Sequence, residues 1–335
     1  MSKKKNQHFF GLIGDIGGTN ARFALWRGNG PEKIQILSCR NYTTLEEAIL
    51  AYLGQQLGVH DIKPSMASLA VAGPVTDDHV NLTNLGWNFS IEEMRRDLGF
   101  DHFEVFNDFR ALALSLPHLG AKDLFKVGPE ENEAEQGPKL VLGPGTGLGV
   151  AGLVPCDSRW IAVPGEGGHV SFSPETEQED RILTWFRRKV GGRVSVERLI
   201  CGPGLEMLYR AMCDLEGWQP QFNTAREITE AALANAPNER VCLDMFCGML
   251  GSLAGDLALV YNAFGGVYIG GGIIPRMLDF FAESSFRLRF EDKGRMTPLT
   301  SSMPTWVITH PMPALTGAIA AIQDLPRPTT PGGLL

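Results

Sequence analysis

Gly14-Asp15-Ile16-Gly17-Gly18-Thr19 and, near mid-chain, Gly143-Pro144-Gly145-Thr146-Gly147-Leu148-Gly149 look like two copies of one chemical device. Without Cβ atoms, backbone N–H groups turn inward and approach a phosphate oxygen closely, and a threonine hydroxyl adds another donor. Two such turns, facing each other, would grip one polyphosphate from both sides. A Gly-Gly turn is equally at home as a plain hairpin turn. Asp15 sharpens the first copy: a carboxylate beside a phosphate repels it unless a divalent cation sits between, and Mg²⁺ is held by carboxylates largely through its waters. The plainer role for Asp15 is to cap the turn.

Three further clusters carry polar chemistry. Asn107-Asp108 closes an apolar strand over 103–106 and precedes a helix, which is where open α/β sheets bind their ligands. The same two residue types are favoured helix N-caps. Gly165-Glu166-Gly167-Gly168-His169 surrounds an acid and an imidazole with glycine, an arrangement suited to close approach of a polar ligand such as a sugar hydroxyl. Glu197 lies further on, and following Ser195 it equally serves to complement a helix dipole. Gly270-Gly271-Gly272 leaves room for a flat nucleoside face or makes a tight turn before Pro275. No P-loop, dinucleotide, zincin or serine-hydrolase motif is present.

The elements that must hold these residues repeat. The first half predicts strands at 9–15, 20–26 and 34–39, a helix at 44–57, a strand at 66–72, a helix at 90–98, a strand at 103–106 and a helix at 109–116. From residue 140 the order restarts: strands at 140–143, 150–154 and 160–163, helices near 176–190, 196–200, 204–215, 224–235 and 239–263. A strand at 266–270, a helix at 276–283, a strand at 305–309 and a helix at 313–323 follow. Each glycine turn lies between two apolar strands, as a hairpin demands. The polar stretch 119–139 predicts a surface crossing, with a domain boundary near 118. Gly248, Ser252 and Gly255 share one side of the long helix, for a close neighbour helix or a ligand.

A chain of 335 residues suffices for roughly two domains with cores of their own. Net charge −8 and the absence of a basic stripe argue against nucleic acid as a partner. Lys3-Lys4-Lys5 precedes an apolar run too short for a signal peptide. The stretch 241–269 is apolar but carries Asp244, Asp256 and several glycines, so no membrane span is expected. Six cysteines without a C-x-x-C pair read as reduced thiols, and a cytoplasmic setting follows.

Taken in order, residues 14–19, Asn107-Asp108, residues 143–149, the Pro-Gly-Glu-Gly-Gly-His run at 164–169, Gly202-Pro203-Gly204, residues 264–275 and residues 291–295 resemble the bacterial glucokinase family of the sugar kinase, Hsp70 and actin superfamily. The resemblance spans nearly the whole chain. It implies an α/β fold of two ribonuclease-H-like (actin/hexokinase-type) domains with a cleft between them: residues 9–118 with a C-terminal helix at about 312–335, and residues 119–311. It implies ATP, as its Mg²⁺ complex, and glucose or a similar hexose as substrates, with transfer to the 6-hydroxyl and a homodimeric assembly. Asp108 becomes the catalytic base; Asn107, Asp108, Glu166, His169 and Glu197 hold the sugar. Gly14, Asp15, Ile16, Gly17, Gly18, Thr19, Gly145, Thr146, Gly147 and Gly271 serve the nucleotide, with Asp15 reaching Mg²⁺ through water. Residues 170–179 contain no cysteine, so the structural zinc of related sugar kinases is not expected. Pro144 departs from the commoner small residue and removes one N–H from its loop. A kinase for another hexose and a non-catalytic sugar sensor are the competing readings. A DNA-binding repressor would need a helix-turn-helix before the first strand, for which the short N-terminal segment leaves no room.

Overall fold

The Gly17-Gly18 turn folds strand β1 (Gly11–Ile16) back on β2 (Asn20–Trp26), and β3 (Pro31–Ser38) continues the antiparallel meander. The computed structural model describes residues 10–58, 60–129 and 134–324. The lysine-rich start, residues 130–133 of the expected crossing and the tail from residue 325 lie outside the described residues.

Helix α1 (Leu45–Gln56) begins at Thr44, whose hydroxyl accepts the Glu47 N–H. Strand β4 (Met66–Val71) is buried along its whole length, as a central strand of parallel pairing must be, and runs parallel to β1. Three short strands, β5 (Val75–Thr76), β6 (His79–Leu82) and β7 (Trp87–Ser90), form a small separate sheet that the sequence reading does not foresee. Helix α2 (Ile91–Leu98) is capped by Ser90 and ends at Gly99 in the left-handed region. Strand β8 (His102–Asn107) pairs parallel with β4 and leads into α3 (Asp108–Ser115). The main sheet has the order β3-β2-β1-β4-β8. Far along the chain, the helix Pro313–Asp324 returns to this sheet. Its Leu315, Ala318 and Ile322 cluster with Ile13, Ala24, Trp26 and Met66, and Gly317 lets it press against the Ala111 carbonyl of α3. The described residues up to His118 and from Pro311 to Asp324 thus make one compact unit.

Leu119–His310 make the other. Strand β9 (Leu124–Val127) lies inside the stretch expected to be a bare crossing. Then β10 (Lys139–Pro144), β11 (Leu148–Cys156) and β12 (Arg159–Gly165) form a second meander. Helices α4 (Glu177–Val190), α5 (Gly202–Glu216), α6 (Ala225–Leu233) and α7 (Pro237–Tyr261) follow, and then β13 (Val267–Ile269), parallel to β10. The helix expected at 276–283 is α8 (Leu278–Glu283); two short helices with no sequence expectation, α9 (Phe286–Glu291) and α10 (Thr297–Ser302), follow it and precede β14 (Thr305–Ile308). The sheet order β12-β11-β10-β13-β14-β9 repeats the first sheet strand for strand and adds β9 at the edge. The helix expected at 196–200 is a single 3₁₀ turn, Val196–Arg198.

Helix α7 is long and apolar enough to cross a membrane, but 67% of its most apolar window is buried inside its unit. Its three acids are engaged: Glu239 accepts from the Tyr209 hydroxyl, Asp244 accepts from the Ser285 N–H (2.8 Å) and hydroxyl (2.6 Å), and Asp256 pairs with Lys293 at 2.9 Å. Gly248, Gly251 and Gly255 face α9 and its flanks, and Gly251 and Gly255 lie directly against the Phe286 and Phe290 carbonyls. The small-residue side is therefore a helix-packing seam. All six cysteines are free and only Cys156 is exposed.

Candidate active site

The carboxyl ends of β1, β4 and β8 are level with one another, because the register aligns Ile16 with Val71 and Val71 with Asn107. The first glycine turn and the Asn107-Asp108 pair therefore share one edge of one sheet. Gly14 and Ile16 sit within the ladder. A Cβ on Gly14 would stand 2.7 Å from Leu69 Cδ2, and Ile16 is fully buried, so both shape the strand beneath the turn. Gly17 closes the turn by donating to the Asn20 carbonyl at 3.0 Å, which leaves Gly18 and Thr19 exposed at its tip. Cys39 braces the turn from below: its N–H donates to the Thr19 carbonyl at 2.9 Å and its thiol to the Gly17 carbonyl at 3.6 Å.

Asp15 faces Arg22 across the hairpin, with Oδ2 2.9 Å from Nη1. Burial pushes the Asp15 carboxyl above the usual carboxylate range, and Arg22 opposes that shift without cancelling it. Asn107 caps α3: its Oδ1 accepts the Phe109 N–H at 2.9 Å, and its Nδ2 donates to the Gly73 carbonyl at 3.2 Å. Both polar ends of Asn107 are thus used locally, and they fix where Asp108, the first residue of α3, begins. Asp108 is half-buried.

In the other unit the second hairpin joins β10 to β11, with Gly143 opposite Gly149 and Pro144 opposite Leu148. Gly145 donates to the Gly147 carbonyl and accepts from Gly202, each at 2.8 Å, and Thr146 is exposed at the tip. Gly270 donates to the Leu142 carbonyl at 2.8 Å, and Gly271, at φ +81°, lies directly on the Pro144 carbonyl. Neither Gly143 nor Gly271 has space for a Cβ, so the glycine turn after β13 stacks backbone to backbone on the hairpin.

Beside them a cavity of about 660 Å³ is lined by Gly145, Thr146, Gly202, Arg226, Glu230 and Arg276 among others. It opens at the N-terminus of α5, whose fifteen residues present a positive dipole end. Arg226 and Glu230 pair at 2.7 Å on its α6 wall.

Glu166 and the 3₁₀ turn Gly167–His169 follow β12. Both acid and imidazole are exposed, 3.9 Å apart from Oε2 to Nε2. Gly167 and Gly168 press on Val150 and on Leu148. Residues 170–172 pair with 194–196, which carries Glu197 to the same place; its Oε2 accepts the Leu148 N–H at 2.8 Å. Glu166, His169 and Glu197 are therefore gathered around the root of the second hairpin. Among the described residues, no three His, Cys, Asp or Glu side chains gather as metal ligands.

Arg22, Cys39 and the α6 wall of the cavity escape sequence reasoning. Arg22 alone had a signal: a hairpin closed at Gly17–Thr19 places it opposite Asp15.

The family model described as Glucokinase matches residues 12–325. The chain belongs to the glucokinase family. It is 46% identical to a glucokinase of Chromohalobacter salexigens over 93% of this chain and 97% of that one. Among solved structures it superposes on a glucokinase from an Antarctic psychrotroph with a TM-score of 0.85 at 37% identity, covering 95% and 100% of the two chains. A ROK family glucokinase from Streptomyces griseus, solved with glucose and AMPPNP, shares the fold at a TM-score of 0.60 and 18% identity, over 93% and 98% of the chains. The fold is thus the two-domain, actin-like fold of the sugar kinases.

Proposed function

We propose that this chain is a glucokinase that moves the γ-phosphoryl group of ATP to the 6-hydroxyl of glucose, giving glucose 6-phosphate and ADP. The observation that carries the reading is the 46% identity to a curated glucokinase over nearly the full length of both chains. The site residues support it. Phosphoryl transfer asks for positioning and charge stabilisation more than for covalent chemistry by the protein. Asp108, set at the start of α3 by the Asn107 cap, accepts the hydroxyl proton and aims the oxygen. Glu166, His169 and Glu197 hold the remaining sugar hydroxyls. Thr146 and the turn of residues 145–147, beside the cavity and the α5 N-terminus, hold the nucleotide, while Gly18 and Thr19 offer donors to its phosphates. Mg²⁺ would neutralise charge on those phosphates. Asp15 suits it, being a single, 18% exposed carboxylate at the root of the first turn, and Mg²⁺ needs only one or two protein carboxylates.

A coupled ADP-release assay over a panel of hexoses tests the reading, with Asp108→Asn run alongside. Glucose is expected to be turned over, and Asp108→Asn to lose about 10²–10⁴ in kcat while keeping much of its sugar affinity. No ADP release with any hexose would refute the reading; near-normal turnover by Asp108→Asn would remove Asp108 as the base. A cytoplasmic homodimer completes the proposal, supported by the free cysteines and by the prevalence of twofold closure, and light scattering in solution checks the dimer.

A further inference from the structure

The peptide of Leu148 is held on both sides. Its N–H donates to Glu197 Oε2 at 2.8 Å, and its carbonyl lies directly against Gly168 of the Glu166–His169 segment. Leu148 is itself 5% exposed, so this N–H has little access to water. Its register partner is Pro144, next to the turn whose tip is Thr146. The same Glu197 oxygen also fills the space beside Gly147, where a Cβ would stand only 2.6 Å from it. One carboxylate oxygen therefore fixes two consecutive residues at the base of the hairpin. A charge-assisted bond of this kind is short and strong, and removing its acceptor leaves a buried donor unmet.

We infer that Glu197 is a positioning residue for the nucleotide as well as a sugar-side carboxylate. Oε2 sets the geometry of Gly145, Thr146 and Gly147, and Oε1 is left for an acceptor hydroxyl. Sugar occupancy and the grip on the donor phosphates are thereby coupled through one side chain. The inference rests on the reading of residues 143–149 as the donor hairpin.

The experiment is calorimetric titration of AMPPNP with Mg²⁺, in the absence of sugar, into wild type, Glu197→Ala, Glu197→Asp, Glu197→Gln and Glu166→Gln. A carboxylate that served only the sugar would leave every one of these affinities unchanged. Loss of the Leu148 contact is expected to weaken binding about tenfold in Glu197→Ala. Glu197→Asp, with its carboxylate drawn back by one methylene, is expected to show the same loss, and it stands in should the alanine variant fail to fold. Glu197→Gln, whose amide oxygen still accepts the Leu148 N–H, should bind within about threefold of wild type, and Glu166→Gln should match wild type. Wild-type affinity in Glu197→Ala or in Glu197→Asp overturns the inference. Failure of wild type itself to bind AMPPNP would instead overturn the donor-hairpin reading.

Discussion

Asp15 is a carboxyl whose surroundings favour its protonated form. Burial raises its pKa and Arg22 only partly compensates, so the folded protein binds a proton at this site more readily than the unfolded chain does. Ionising Asp15 therefore costs stability, and that cost shrinks as pH falls through the raised folded-state value. Asp15→Asn is accordingly expected to melt no lower than wild type at pH 7, with the gap between the two narrowing under acid. Its kcat should fall by roughly 10²–10³, the scale of losing one preorganised electrostatic partner. Differential scanning across pH, paired with turnover, checks both; a lower melting temperature at pH 7 would contradict the account. Asp15, Asp108, Glu166 and Glu197 stood out in the sequence as candidate chemistry by their place beside strand ends and glycine turns, although capping and helix-dipole roles compete for Asp15, Asp108 and Glu197. What they touch was not. Glu197 looked like a helix-dipole acid or a sugar ligand, and nothing in the sequence ties it to Leu148, 49 positions away.

At the scale of elements, two glycines make a controlled comparison. Gly271 combines a left-handed backbone at φ +81° with contact on the Pro144 carbonyl; Gly251 lies in a helix against the Phe286 carbonyl. Gly271→Ala carries backbone strain of about 1–3 kcal/mol, and Gly251→Ala carries overpacking of about the same size. Both should lower the melting temperature by several degrees. Only Gly271→Ala moves the donor hairpin, so only it should raise the KM for ATP, and steady-state kinetics on the pair separates the roles. Strongly patterned elements were readable: the strand expected at 66–72 is β4, the helices expected at 44–57 and 90–98 are α1 and α2, and the long helix expected at 239–263 is α7. Strand β9 was not, because Leu-Phe-Lys-Val is half-buried and owes its strand form to β14 beside it. Helix α9 shares that dependence, since its Phe286 and Phe290 carbonyls lie against Gly251 and Gly255 of α7; the strands β5–β7 pair with their sequence neighbours but are only two to four residues long, too short to show a period.

At the scale of the whole molecule, the larger unit is inserted into the smaller one. Its ends meet: β9 pairs with β14, and the Thr309 N–H donates to the Asp123 carbonyl at 2.8 Å. A segment whose two ends are already tied needs no outside help to close. Residues 119–310 expressed alone should therefore melt cooperatively and still bind AMPPNP, more weakly than the intact chain because Asp15, Gly18 and Thr19 are missing, yet phosphorylate nothing, since Asp108 is absent. A non-cooperative melt would show that this unit depends on the rest. The repeat of strand order was visible in the sequence as a restart near residue 140, because both meanders carry the same hairpin signature. The return of the chain to the first sheet rests on the packing of Leu315, Ala318 and Ile322 on Ile13 and Trp26, which no local pattern encodes.

That returning helix also sets an order of events during synthesis. The sheet of the first unit leaves the ribosome early, but the helix that covers Ile13, Ala24, Trp26 and Met66 is made only after the inserted unit is complete. While translation proceeds, the first sheet keeps an uncovered apolar face, and the inserted unit, although later in sequence, has all its parts first. A nascent chain stalled after residue 310 should accordingly protect the inserted unit from protease and leave the N-terminal one open, the reverse of the usual N-terminal-first sequence.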